Sequence, residues 1–175
     1  MITVYLEESE RSNVCHFTAA NGIPFSDEEG TTEGNWIKIF KALWPLSDTA
    51  KEKLRIIKAS NDKIIARKET VQTWDEAGWD MKDFLFKRGC NTVGCALGNA
   101  AEDLGLQPYI SPRGFYRLAP PVHSFTGPEM LKFLDIQDPL YDFLFLGSKY
   151  PLHPSVTVTP HHVNHRIVQL LGESQ

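Results

Sequence analysis

Cysteine and long apolar runs are both scarce in this chain, and the two shortages exclude whole classes of protein. Three cysteines among 175 residues are an odd count and too few for a disulfide scaffold. No apolar run approaches the ~20 residues that a membrane-spanning helix needs. The N-terminus has no basic region before its first acidic residue, Glu7, and so lacks the pattern of a signal peptide. We therefore expect a cytoplasmic protein with no membrane partner.

A strong net charge is also lacking, although the charges are unevenly distributed. Eighteen basic and 22 acidic residues leave a net charge of −4, which argues against a generic nucleic-acid-binding protein. Residues 1–35 carry 7 acidic residues and 1 basic residue, whereas residues 36–70 carry 9 basic and 4 acidic residues. Neighbouring segments of opposite sign predict that one packs against the other, in preference to a basic face kept for a nucleic acid.

The composition that is present is that of an ordinary globular protein. Hydrophobic residues make up 42% of the chain and charged residues 23%, so we expect a single globular domain over residues 1–175. Apolar and polar residues alternate around Val4 and Leu6, which predicts a small N-terminal β element in a β and loop part over 1–34. A helical period begins at Asn35 and predicts a helical part over 35–175. The predicted fold class is therefore α+β, mostly helical.

Capping residues and prolines locate the first two helices. Asn35 is a good N-cap, and Pro45 predicts the end of the first helix. A second helix is predicted to start at residues 47–49, where Thr49 and Glu52 have the spacing of a capping box. The polar residues 60–62 predict a break in it.

The second half of the chain contains further start signals. Thr126 and Glu129 have capping-box spacing, and a proline follows both Asp138 and Thr159, as is typical of the first turn of a helix. Residues 107–119 predict a short hairpin between these helices and the centre of the chain.

The segment that starts at Cys90 differs from the rest because it is uncharged and rich in small residues. Two N-cap residue types follow Cys90, and Gly105 is a typical residue after a helix, so we predict a helix over 90–104 in the centre of the fold. In that helix Gly94 and Gly98 lie one turn apart, which leaves a bare backbone surface for close packing.

Two interpretations of the cysteines follow from this prediction. Cys90 would precede the helix and Cys95 would lie in its first turns, where backbone amides stabilise a thiolate. The apolar surroundings favour the other interpretation, that both are buried small hydrophobic residues. His161 and His165 are four residues apart on the predicted last helix, so a zinc site of Cys90, Cys95, His161 and His165 is the alternative to exposed polar histidines.

The Cys90 segment resembles a motif of uncharacterised bacterial and phage proteins, in which a Cys-Gly-Thr step is followed after two residues by Cys, Ala and a helical Gly. Asn91 replaces the usual Gly, which argues against a role that needs bare backbone there. The resemblance covers about residues 78–172 and implies a fold but no activity. The residues that carry it are Cys90, Thr92, Cys95, Ala96 and Gly98, with Trp79-Asp80-Met81 before them and Leu144-Phe145, Tyr150-Pro151 and Thr159-Pro160 after them.

The function favoured by these observations is that of a non-enzymatic binding or interaction protein, without a cofactor. Its partner is unknown from the sequence, and a protein partner or a second copy of the chain is favoured over a nucleic acid. The alternative is a metal- or thiolate-dependent enzyme that uses Cys90, Cys95 and the C-terminal histidines, with zinc as its metal.

Overall fold

The structure is a computed structural model that describes most of the chain from residue 33 onward. The predicted N-terminal β element, Cys90 and Gly94 lie outside the described residues. The described ranges are 33–80, 86–88, 91–93, 95–113, 116–146, 150 and 157–173.

Apolar side chains at helical spacing bury one face of the first helix, α1, which spans Glu33–Leu43. Trp36 and Phe40 stack with ring centroids 5.9 Å apart and are both buried. The helix ends before Pro45, as predicted, because proline has no N–H to donate. Its start is two residues earlier than predicted, so Asn35 lies inside the helix and is not its cap.

The second helix, α2, spans Asp48–Lys68 without interruption. Ser47 is its N-cap, and the Ser47 hydroxyl accepts a hydrogen bond from the Ala50 N–H at 3.1 Å. The predicted break at residues 60–62 is wrong, because two of its polar side chains find partners outside the helix. Ser60 donates to the Asn99 carbonyl at 3.1 Å, and Asn61 donates to the Asn164 side chain at 2.8 Å.

The predicted helix over 90–104 is wrong except for its middle, because residues 91–93 form a strand and residues 100–104 form a turn. Strand β1 (Phe86–Arg88) pairs antiparallel with strand β2 (Asn91–Val93), and only Ala96–Asn99 form a helix, α3. Thr92 and Val93 are β-branched, and such residues favour a strand once a partner strand is available. The predicted helical part over 35–175 therefore contains an unpredicted hairpin.

The hairpin predicted over 107–119 is confirmed. Strand β3 (Pro108–Ile110) pairs antiparallel with strand β4 (Tyr116–Leu118). The pairing is extended by a hydrogen bond of 2.9 Å from the Ala119 N–H to the Gln107 carbonyl.

Three predicted helices follow, with differences at their caps. Helix α4 spans Pro128–Leu134 after Gly127, whose φ of 92° favours glycine. The predicted capping box of Thr126 and Glu129 does not form, because Glu129 accepts from the His123 N–H at 3.1 Å instead. Helix α5 spans Asp138–Phe145, with Gln137 in the cap position predicted for Asp138.

The last helix, α6, spans Pro160–Leu171 and begins after Thr159 as predicted. The Thr159 N–H donates to Nδ1 of His162 at 3.0 Å, so His162 takes the place that glutamate has in most capping boxes. Because Nδ1 accepts, the His162 ring is a neutral tautomer with its proton on Nε2.

Helices α2 and α6 pack against each other at the centre of the described residues. Helices α1 and α5 also contact α6, and α3 and α4 contact α2. Within the described ranges, six helices and two small antiparallel hairpins confirm the predicted mostly helical α+β class. None of these helices combines the length and apolar character that crossing a membrane requires. The largest fully buried side chains among the described residues are Trp79, Arg166, Phe40, Phe143, Phe145, Ile39, Leu54, Ile57, Leu97, Leu118, Met130 and Leu134.

Candidate functional site

A cleft of about 540 Å³ opens at the C-terminal end of α2. The segment between α2 and residue 80 forms most of its wall, and Thr157, just before α6, closes the other side. We call it the tryptophan cleft. Its lining residues are Lys68, Gln72, Thr73, Trp74, Asp75, Trp79, Asp80 and Thr157.

Local hydrogen bonds fix the wall of the tryptophan cleft. The Glu76 carboxylate accepts from the Gln72 N–H at 2.8 Å and from the Thr73 N–H at 3.2 Å. The Thr73 hydroxyl accepts in return from the Glu76 N–H at 3.1 Å. Gly78 then turns the chain with a φ of 96°, a conformation that glycine adopts without strain. The wall is therefore a defined turn in which most backbone donors have partners.

Trp79 anchors this wall to two other elements. Its indole is 2% exposed, and its Nε1 donates to the Val158 carbonyl at 2.8 Å. The neighbouring Gly78 carbonyl accepts from the Asn99 side chain at 3.0 Å. The cleft wall is thus held between the segment before α6 and the end of α3.

Trp74 lines the cleft and is half-buried. The Lys68 ammonium lies 5.8 Å from the centroid of the Trp74 ring, and the His161 ring meets it edge-on at 5.7 Å. Among its described lining residues, Asp75 and Asp80 contribute two carboxylates and Lys68 one ammonium. An indole near carboxylates suits a ligand with a flat apolar part and a positive group.

The surroundings of Cys95 disfavour a thiolate nucleophile. It is the N-cap of α3 and is 2% exposed. Burial raises the pKa of its thiol to about 11, and the negative charge of Asp80 adds to this rise. Hydrogen bonds from the backbone of Gly98 and Leu97 act in the opposite direction but do not compensate. The interpretation as a buried small hydrophobic residue fits Cys95.

Of the other predicted site residues, Gly98 lies beside Cys95, since its backbone hydrogen-bonds to the thiol. Thr92 lies in β2, opposite Lys87, and Gly98 is buried within α3. His161 and His165 are exposed on α6. Among the described ranges, no group of three or more histidine, cysteine, aspartate or glutamate residues could hold a metal ion. Cys90 lies outside those ranges, so a zinc site that includes it stays a prediction.

No family model, curated protein or solved structure matches this chain. The resemblance to the bacterial and phage motif therefore stays a prediction.

The sequence does not predict the tryptophan cleft. Trp79 belongs to the core, whereas Trp74 is half-buried in the cleft. One signal in the sequence is the repeated pair Trp-Asp, at Trp74-Asp75 and Trp79-Asp80, which places a carboxylate directly after each indole. Because these residues lie in a turn and not in a helix or strand, their spacing does not predict that they share a surface. Their proximity depends on the turn at Gly78.

Arg166 is a second residue whose role the sequence does not indicate. Its guanidinium is 0% exposed and lies between the Phe143 and Tyr150 rings, 3.9 Å and 3.5 Å from their centroids. It also donates to the Phe143 carbonyl. A planar cation stacked between two rings in the core holds α5 and α6 together.

Proposed function

We propose that this chain is a non-enzymatic binding protein and that its ligand occupies the tryptophan cleft. The observation that carries the proposal is the half-buried indole of Trp74 beside the carboxylates of Asp75 and Asp80, in a cleft of about 540 Å³. Clefts of this size bury a small organic ligand, and a few placed polar groups orient it. A reducing cytoplasm in a bacterium or a phage-infected cell is the setting that the sequence favours.

The chemistry of the lining selects a class of ligand. The Trp74 indole offers an apolar face for a flat group, and the carboxylates of Asp75 and Asp80 favour a cation. The Lys68 ammonium, which lies over the same ring, donates to the Val71 carbonyl at 3.2 Å. We infer an aromatic or similarly flat amine as the ligand, in preference to a carboxylate of the same shape.

The alternative, a metal- or thiolate-dependent enzyme, has less support from the described residues. The raised pKa of the Cys95 thiol keeps it protonated at neutral pH. The exposed His161 and His165 have no third ligand within the described part of the chain. Stoichiometric zinc in the purified protein, together with a melting temperature lowered by a chelator, would favour this alternative over our proposal.

Three probes of one shape and different charge test the proposal. Phenethylamine, phenethyl alcohol and phenylacetate are each titrated into the full chain by calorimetry, with tryptophan fluorescence as a second readout. We expect phenethylamine to bind most tightly and phenylacetate most weakly. We expect Trp74→Leu to weaken phenethylamine binding by about tenfold, because it removes the aromatic face. Asp75→Asn with Asp80→Asn should abolish the preference for the amine.

Matched variants separate the cleft from the rest of the surface. Trp44→Leu removes a half-buried tryptophan at the end of α1, and Asp48→Asn with Glu102→Gln removes two exposed carboxylates elsewhere. Neither control should change the affinity for phenethylamine. Equal affinity in Trp74→Leu and Trp44→Leu, or no binding of any of the three probes, would overturn the proposed site.

A further inference from the structure

The β3–β4 hairpin has one face on the core and one face in solvent. Tyr109 is paired with Arg117, and Pro108 is paired with Leu118. Cross-strand partners share a face of a hairpin, and alternate residues point to opposite faces. Leu118 is buried, so its face is the core face, whereas Tyr109 and Arg117 form the solvent face.

The hairpin extends beyond the core that supports it. Tyr109 is 49% exposed and Ile110 is 50% exposed, and these two are the large hydrophobic side chains that stand out as exposed among the described residues. They are consecutive in β3 and therefore point to opposite faces, so both faces are open to solvent at this end of the strand. Each face of the hairpin therefore carries one exposed apolar side chain at the end of β3.

The charge of this hairpin is uniform, in contrast to the rest of the chain. Arg113 and Arg117 are the only charged residues between positions 104 and 122, in a chain whose net charge is −4. Both are exposed, and neither forms an ion pair with a described residue. Three basic residues of α2, Arg55, Lys58 and Lys63, each contact a carboxylate at 2.8 Å.

Tyrosine and arginine together are the residues that protein interfaces enrich, whereas lysine and acidic residues are depleted there. The hairpin patch, which we define as Tyr109, Ile110, Arg113 and Arg117, has this composition. Its charge of +2 from two arginines selects a partner of the opposite sign, and arginine binds carboxylates with two parallel hydrogen bonds. The short strands leave main-chain groups at the hairpin edges that an extended segment can pair with.

We propose that the hairpin patch is a docking surface for a protein partner that presents an acidic, extended segment. Carboxylates of the partner contact Arg113 and Arg117, and successive side chains of its extended segment pack against Tyr109 on one face of the hairpin and against Ile110 on the other. This surface is independent of the tryptophan cleft, so either proposal can fail without the other.

The test uses a fluorescent peptide of alternating glutamate and threonine, whose binding to the full chain is followed by anisotropy. A peptide of alternating lysine and threonine tests the sign of the charge, and single-stranded oligothymidylate tests a nucleic acid. We expect the glutamate peptide alone to bind, with an affinity that falls as salt is raised. Arg113→Glu with Arg117→Glu should weaken binding by about tenfold or more, and Tyr109→Ser with Ile110→Ser by a similar factor.

The matched control for the arginine reversal is Arg67→Glu with Lys132→Glu, which changes the net charge equally at two exposed positions away from the hairpin. Retained affinity in this control supports the proposal. Equal losses in both charge variants would overturn it, since the effect would then come from net charge alone. Tighter binding of oligothymidylate than of the glutamate peptide would overturn it in favour of a nucleic-acid surface. Self-association that Tyr109→Ser abolishes would overturn it in favour of a second copy of the chain.

Discussion

The Cys95 thiol shows that burial can outweigh position on a helix. Cys95 is the N-cap of α3, where backbone amides would ordinarily lower the pKa of a thiol. Helix α3 has only four residues, so its dipole is short, and the thiol is 2% exposed. Loss of hydration therefore dominates, and the pKa rises from 9.0 to about 11.

This rise predicts how Cys95→Ala changes stability with pH. The folded-state pKa lies above the unfolded-state value, so the contribution of the thiol is fully present below pH 9.0 and is lost as the pH rises toward about 11. At pH 7 we expect Cys95→Ala to lower the free energy of unfolding by about 1–2 kcal/mol. As the pH rises from 9.0 to about 11, the free energy of unfolding of the unsubstituted chain should fall by about 2 kcal/mol relative to that of Cys95→Ala, so the difference between the two proteins vanishes or changes sign. Urea unfolding of both proteins at these pH values measures the change.

The same experiment distinguishes a buried thiol from a reactive one. Site-resolved mass spectrometry after iodoacetamide treatment at pH 8 should find Cys95 unmodified in the folded chain and modified in urea. Rapid modification of Cys95 in the folded chain, or a stability difference that stays constant to high pH, would contradict the burial argument.

At the scale of elements, a chain of polar side chains connects α2 with α6. Asn61, which is 0% exposed, donates to the Asn164 side chain at 2.8 Å, and Asn164 donates to Asp62 at 2.8 Å. Asp62 also contacts Lys58 at 2.8 Å, so the chain extends to the surface. Polar groups buried between two helices fix their alignment, because a shift would leave the groups without partners.

Removal of one member of this chain predicts a large effect. Asn164→Ala should lower the free energy of unfolding by about 2–3 kcal/mol, because the Asn61 amide is left buried without an acceptor. Asn61→Ala with Asn164→Ala should cost about 1 kcal/mol less than the sum of the two single variants, since both partners are then absent. Chemical unfolding of the four proteins measures the coupling. Additive losses would show that the two amides act independently.

The two helices of this pair also show what the sequence could predict. Ser47 and Thr159 precede runs with helical periodicity, and cap chemistry acts within one turn, so both starts were predictable from neighbouring residues. Residues 60–62 look like a break because Ser60 and Asn61 have partners that lie 39 and 103 positions away in the chain. The strand Asn91–Val93 was missed for a different reason: its partner, Phe86–Arg88, lies just before it, but the small residues that follow Cys90 resemble a helix start. The tryptophan cleft depends equally on distant contacts, such as that of Trp79 with Val158.

At the scale of the whole molecule, basic side chains of α2 form ion pairs with carboxylates from several different segments. Sequence analysis predicts that the acidic residues 1–35 pack against it, and most of those lie outside the described residues. Within the described part, the basic side chains of α2 contact carboxylates from several places in the chain, including Asp103 and Glu173. These contacts join α2 to the loop after α3 and to the C-terminal end of α6.

The exposure of these ion pairs predicts a stability that depends little on salt. Exposed pairs contribute about 0–1 kcal/mol each, because water already screens them. Raising sodium chloride to about 1 M shortens the Debye length to ~3 Å and should change the free energy of unfolding by less than about 2 kcal/mol. The same change should sharply weaken binding of the glutamate peptide at the hairpin patch, because encounter with that patch depends on unpaired surface charge. Parallel urea unfolding and anisotropy titrations at both salt concentrations make the comparison. A large loss of stability would instead show that strong electrostatic contacts involving the acidic segment hold the fold together, because the exposed pairs of α2 are too weak to produce it.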